Sequence, residues 1–252
     1  LQTDSQIFTV PQIDISTNSP LSKKMILYII KPPEGDGFAA FLNPGCVSVE
    51  TGMNENGITV SEININIKQT EWVTMPINHL SRSALQYSES IDDVGQFLKE
   101  QKVYPSRLLF VSSNKSASIF EMANREMARI KMKDGYLTMA NHACIIPSKN
   151  ITYHSVKRLD LGDNFLKENL EELNIEKAID LVRTSRITWY WNPTVHNRQS
   201  IIFSPTTLDY WIAIPSNSNY KPASYGPYIG FNLRHELYGS GGGPNPRFFP
   251  AY

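Results

Sequence analysis

From the N-terminus, hydrophobic positions recur in short, strand-length runs. Gln6–Ile15 alternates loosely through Ile7, Phe8, Val10, Ile13 and Ile15, and Pro11 breaks it. Proline cannot donate to a ladder, so this stretch reads as an edge or bent strand. Met25–Lys31 reads as a buried strand, residues 32–37 (PPEGDG) as a turn, and Phe38–Leu42 as the next strand. Asn43–Asn66 then reads as a hairpin: Cys46, Val47 and Val49 lead into Thr51–Gly57, and Ile58, Val60, Ile63 and Ile65 follow. Gly and Asn supply the left-handed positions that a tight reversal requires. Strands spaced this closely by short turns predict an antiparallel sheet.

The period then lengthens. Met75–Tyr87 places Ile77, Leu80, Ala84, Leu85 and Tyr87 at helical spacing, and Ser90 is the expected N-cap of a second helix with Val94, Phe97 and Leu98 inward. Strands are expected again at Arg107–Ser112, Ala117–Met122, Met127–Lys133 and Tyr136–Ala140, with Asp134-Gly135 as a hairpin turn. Ser155–Arg183 is expected to be helical, with Asp163 capping its second part and Asn174 its third. Thr188–Arg198 is an aromatic, polar loop, and Gln199–Phe203, Leu208–Ile214 and Tyr228–Leu233 close the pattern as strands. From Gly239 the chain is rich in Gly and then Pro, which gives it no regular structure by itself. Strands, helices, strands, helices and strands, with no repeat or linker between them, predict one α+β domain over residues 1–238 with a tail at 239–252.

Composition narrows the partners. The 252 residues are 41% hydrophobic, enough for one large core. Lys plus Arg and Asp plus Glu are 24 each, so no global field draws in nucleic acid or an anionic membrane. The longest apolar run, Met25–Ile30, is too short to cross a bilayer. Leu1–Asp4 is too polar for a signal peptide, although the chain reads equally as a mature product whose leader is gone. Two cysteines, Cys46 and Cys144, make neither a disulfide framework nor a zinc site. Each lies in an apolar run and is expected to be a small buried residue. No metal or cofactor is expected. The compartment is left open, with secreted, periplasmic or lysosomal ahead of cytoplasmic, and so is homo-oligomerisation.

Candidate chemistry comes from motifs. The stretch from Pro44 to Val60, PG-x-x-x-x-x-TGMNE-x-G-I-x-V, resembles a segment of the linear amide hydrolases and acyltransferases of the N-terminal-nucleophile class. That group includes penicillin acyltransferases, bile-salt hydrolases, penicillin V acylases and ceramidases. Further along, Thr138–His142 is similar to the family's T-N-H segment and Ser155–Arg158 to its S-x-x-R motif. Ser200–Pro205 with Leu208–Ala213 resembles its closing hairpin, and Pro11–Asp14 its R-x-x-D strand. The resemblance implies a four-layer αββα sandwich, with two antiparallel sheets between helical layers. It also implies cleavage of a linear amide C–N bond in an acylated small molecule. In the family it resembles, an N-terminal cysteine thiol attacks and its own α-amine, with a reference pKa of about 7.7–8.0, carries the proton. An asparagine amide and a backbone N–H hold the oxyanion.

Carried over residue by residue, Asp14 matches the aspartate that contacts the nucleophile's amine, Asn141 the oxyanion asparagine and Arg158 the orienting arginine. Asn64 falls where bile-salt hydrolases place a second site asparagine, but it also reads as an exposed strand residue between inward Ile63 and Ile65. Trp72, Trp189, Tyr190 and Trp191 are candidates for lining an acyl pocket. Two departures stand out. The family spacing places the cysteine a few residues upstream of Leu1, and Pro11 stands where an arginine is expected. Two readings follow: an active enzyme whose nucleophile precedes Leu1, or a relative that binds an acylated or amphipathic ligand without cutting it.

Overall fold

Two antiparallel sheets of unequal width carry the fold, seen in a computed structural model that describes residues 6–16, 26–148, 151–184, 195–213, 222–240, 243 and 247–250. The wider sheet has seven strands in chain order: β2 (Ile26–Ile30), β3 (Phe38–Leu42), β4 (Thr51–Asn54), β5 (Thr59–Asn64), β6 (Tyr104–Ser112), β7 (Ala117–Asn124) and β8 (Glu126–Lys131). The narrower has five: β1 (Gln12–Ser16), β9 (Val195–Ser204), β10 (Asp209–Ala213), β11 (Tyr228–Asn232) and β12 (Phe248–Phe249). Helices α1 (Ile77–Tyr87) and α2 (Ile91–Lys99) cover the wide sheet, and α3 (Tyr153–Asn169) and α4 (Ile175–Thr184) cover the narrow one.

Burial on both faces explains why the strands read as unbroken apolar runs. In β3 (FAAFL), Phe38, Ala40 and Leu42 pack beneath the helices, while Ala39 and Phe41 face the other sheet. In β9, Ile202 packs under α3 and α4, while Ile201 and Phe203 face the wide sheet. Phe41 meets Phe203 and Tyr210 edge-on at ring separations of 6.1 and 6.3 Å. Each such pair adds ~1 kcal/mol beyond its buried area. The layers are therefore α, β, β, α, the architecture that the motifs implied. No helix among the described residues is long and apolar enough to cross a membrane.

The hairpin between β4 and β5 is built differently from its sequence expectation. Thr51–Asn54 is the strand, and residues 55–57 form the turn, closed by Gly57 at φ +78°. Cys46 and Val47 lie in an exposed loop ahead of it. Gly52 has a packing role: a Cβ there would sit 2.5 Å from the Ala39 carbonyl and 2.7 Å from Leu85. Asn54 is fully buried and organises the turn. Its Oδ1 accepts from Asn56 N (3.1 Å) and Ile58 N (2.8 Å), and its Nδ2 donates to the Leu85 and Ser88 carbonyls, each at 2.9 Å. One side chain thus closes a turn and terminates α1.

Other expectations shift for physical reasons. Residues 136–140 do not extend the wide sheet; beyond a single bridge between Lys133 and Tyr136 the chain turns inward. Leu137 and Met139 pack with Ile65, Leu108 and Ile119, covering the sheet face instead of lengthening its edge. Cys46 and Cys144 are both exposed, not buried. Asp163 is not a cap: it lies inside α3, which Thr152 caps by accepting from Ser155 N (3.3 Å). Ser90 and Asn174 cap as expected, accepting from Asp93 N (3.1 Å) and Lys177 N (2.9 Å). The last expected strand ends at Asn232, whose side chain caps a short α5 (Leu233–Tyr238). The Gly/Pro-rich tail supplies Phe248–Phe249, which pair with β11 as an edge strand.

Beneath α1 the wide sheet holds a polar cluster. Asn78 Nδ2 donates to Glu62 Oε1 (3.0 Å), and Asn43 Nδ2 donates to Glu50 Oε1 (3.1 Å). Burial and the neighbouring Glu50 carboxylate push Glu62 up from 4.5 to about 7, against the opposing pull of Arg107 and the Asn78 bond.

Two outcomes follow from these contacts. Asn54→Ala strips buried acceptors and donors of their partner, and should lower stability by ~3 kcal/mol in urea unfolding with little change in m-value. Glu62 holds its proton to about pH 7 in the fold, whereas the unfolded chain releases it near 4.5. Between those values the unfolded state binds fewer protons, so stability falls as pH rises and levels off above 7. Glu62→Gln keeps the Asn78 acceptor, and should flatten that slope and exceed the wild type by ~2–3 kcal/mol at pH 8; urea melts across pH 4–8 measure both.

Candidate active site

The narrow sheet ends at β1, and the wide sheet continues past it. The exposed part of the inner face is covered by residues 137–146, through Leu137, Met139, Ala143 and Ile146. A cavity of about 230 Å³ opens along that seam. One wall is the chain from Phe8 to Asp14, another is Ser61, Ile63 and Phe110 of the wide sheet, a third is Leu137–Asn141, and α3 closes it.

Local geometry aims each polar group. In the β1–β9 ladder the register shifts between Ile13 and Asp14, so β9 carries one extra residue there. A bulge of this kind bends a strand and re-aims its side chains. Asp14 follows it and reaches α3, with its Oδ2 3.8 Å from Arg158 Nη1. The other arm of that guanidinium, Nη2, donates to Asn141 Oδ1. Asn141 Nδ2 in turn donates to the Asn64 carbonyl (3.1 Å). Accepting from an arginine fixes which end of the amide is oxygen and points its NH2 the other way.

Buried groups hold the loop that carries Asn141. Glu121, 1% exposed on β7, accepts from the N–H groups of Cys144 (2.6 Å), Ile145 (2.8 Å) and Ile146 (2.9 Å). His142 Nδ1 bonds Ser155 Oγ at 2.7 Å, which ties the Asn141 segment to the first turn of α3 one turn before Arg158. Thr138 Oγ1 donates to Asp163 Oδ1 on α3. On the opposite wall Asn197 donates to Gln12 Oε1 (3.1 Å) and accepts from Ser224 N (3.0 Å).

The structure thus brings Asp14, Asn141 and Arg158 to one cavity. Asn64 is different: its side chain is exposed and outside the cavity lining, and only its carbonyl touches the group. Trp72 is 95% exposed and is not among the residues lining this cavity. Trp189, Tyr190 and Trp191 lie outside the described residues. Apolar lining comes instead from Phe8, Val10, Met139, Leu159, Leu166 and Leu181, none of which the sequence marks as cavity lining. Glu121 was missed as well, although a lone acid inside the apolar β7 run (ASIFEMAN) was a signal. Among the described residues no group of three His, Cys, Asp or Glu side chains could hold a metal ion.

Sheets packed face to face between helices are the architecture of acyl-amide hydrolases and acyltransferases of the N-terminal-nucleophile type. Residues 12–219 match the model of the acyl-coenzyme A:6-aminopenicillanic acid acyl-transferase family, and the chain belongs to that family. Among solved structures it is similar to penicillin V acylase from Agrobacterium tumefaciens, at 13% identity and TM-score 0.69 over 95% of this chain and 87% of that one. It is also similar to an N-acylethanolamine-hydrolyzing acid amidase ortholog from Caenorhabditis elegans, at 12% identity and TM-score 0.64 over 80% and 88%. A variant of conjugated bile acid hydrolase from Clostridium perfringens matches at 9% identity and TM-score 0.60 over 100% and 90%. Identities this low carry the fold alone. A comparison with curated protein sequences finds no significant match.

The clamp on the Asn141 loop gives a test. Glu121→Ala leaves three backbone donors without their acceptor and should cost ~3 kcal/mol. Hydrogen exchange should rise first at the amides of Cys144–Ile146, before β7 opens.

Proposed function

We propose that the protein cleaves or transfers the acyl group of a linear amide, through a cysteine thiol at the mature N-terminus just ahead of Leu1. The observation that supports this reading is the convergence of Asp14, Asn141 and Arg158, from three separate parts of the chain, on one cavity. Asp14 is the partner for the nucleophile's ammonium. Asn141 has two N–H donors, one of which goes to the Asn64 carbonyl. The other serves the oxyanion that forms when the thiolate adds to the carbonyl. Arg158 holds that amide the right way round and sets the charge beside Asp14. The free α-amine takes the thiol proton and returns it to the leaving amine.

A second reading is binding without cleavage, and Pro11 favours it. Proline stands where the family resemblance expects an arginine, and it supplies no cation or N–H to the site.

Assay of the full-length protein separates the two. Amine release from a panel of acyl-amides, blocked by iodoacetamide, is the expected result. Asn141→Ala should lower kcat by about 10²–10³-fold with a small change in KM. Acyl ligands that bind while no amide in the panel is cut would establish the binding reading instead. An Asn141→Ala enzyme with undiminished kcat would remove that residue from the oxyanion role.

A further inference from the structure

One face of α3 runs the length of the cavity. Arg158, Leu159, Gly162 and Leu166 all line it. At 1.5 Å per residue, Gly162 lies about 6 Å and Leu166 about 12 Å beyond Arg158 along the helix. The polarity falls in the same direction. Arg158 meets Asp14 and Asn141 at one end, and Leu166, 1% exposed, packs with Phe8 and Ile179 at the other.

Gly162 is out of place in the middle of a 17-residue helix, where glycine is about 1 kcal/mol worse than alanine. Its conformation does not demand glycine, since it is not among the residues at positive φ. Packing does not demand it either: beyond its own helix, a Cβ there would meet only Thr138 Cγ2, at 3.5 Å, an ordinary contact. Thr138 lines the cavity too, and its bond to Asp163 holds that wall against α3. The missing side chain is therefore open bore.

We infer that Gly162 sets the length of acyl chain the cavity accepts: an unbranched aliphatic chain passes Gly162 on its way from Arg158 to Leu166. The inference rests on the acyl-amide reading for the orientation of the ligand, with the carbonyl at Asn141 and the chain along α3. A leucine at position 162 would stand across the path and leave room only for the first few carbons, and an alanine would narrow it.

Binding of free carboxylic acids tests this apart from catalysis. Butyric, octanoic and lauric acids are titrated calorimetrically into the wild type, Gly162→Ala and Gly162→Leu. The wild type should bind octanoate more tightly than butyrate. Gly162→Leu should lose octanoate affinity by about 10–100-fold and keep butyrate within about threefold, since each displaced methylene is worth roughly that scale. Gly162→Ala, which should fold with an unchanged or raised thermal midpoint, is the safeguard if the leucine variant does not fold. It should shift the preference in the same direction by about threefold. A length preference identical in wild type and folded variants overturns the inference, and so does a wild type that binds none of the three acids. Failure of amide cleavage with the length shift intact would instead strike the catalytic reading and leave the gate standing.

Discussion

Among the described residues the two sheets differ in width, seven strands against five, and their apolar inner faces must both be covered. Where the narrow sheet stops at β1, the wide sheet still presents Ile65, Leu108 and Ile119. Leaving such side chains in water forfeits ~1.5–3 kcal/mol each. Residues 137–146 therefore fold inward over that face and do not extend the sheet edge. The covering segment carries Asn141, and the edge strand it approaches carries Asp14. A requirement of core packing thus places two polar groups from distant parts of the chain on opposite walls of one seam.

Covering a sheet face with irregular chain leaves backbone N–H groups that need partners. Glu121 answers that need for Cys144, Ile145 and Ile146 from inside the wide sheet. His142 and Ser155 then join the segment to α3. The position of Asn141 relative to Arg158 is consequently fixed from two sides before any ligand enters. Within the cavity the two charged lining residues of the described chain, Asp14 and Arg158, face each other. The remaining wall is neutral among the described residues.

Periodicity carried the layers and most elements, because a strand buried on both faces and a helix buried on one leave different marks. Phe38–Leu42 is a strand to the residue, and the caps Ser90 and Asn174 announce their helices. Asp14, Asn141 and Arg158 came through motifs, since nothing local in a lone Asp or Asn distinguishes a site residue from a turn. What the pattern hid is tertiary. Leu137 and Met139 alternate like a strand but find a face to cover, not an edge to pair with. Asn64 is on an exposed face of β5, and it reaches the site through its carbonyl, a group every residue has. The strand expected over Tyr228–Leu233 runs only one residue into α5, because Asn232 is both the last strand residue and the cap.

The motif most useful for recognition is not the one nearest the chemistry. In the TGMNENG stretch Gly52 allows α1 to approach and Asn54 closes the turn, and neither lines the cavity. A relative could keep that hairpin intact while its site changed, so the hairpin speaks for the fold and the cavity wall must speak for activity. Pro11 is where the two accounts meet. Its carbonyl accepts from Ile201 N (3.3 Å) and Gln12 Nε2 (2.8 Å), so the position is built into the edge of the narrow sheet while it also lines the cavity. Without an arginine there, the cationic work on the described wall falls to Arg158, which reaches Asp14 with one arm and Asn141 with the other. One guanidinium doing both tasks couples the Asp14 carboxylate on the edge strand to the Asn141 amide on the covering segment.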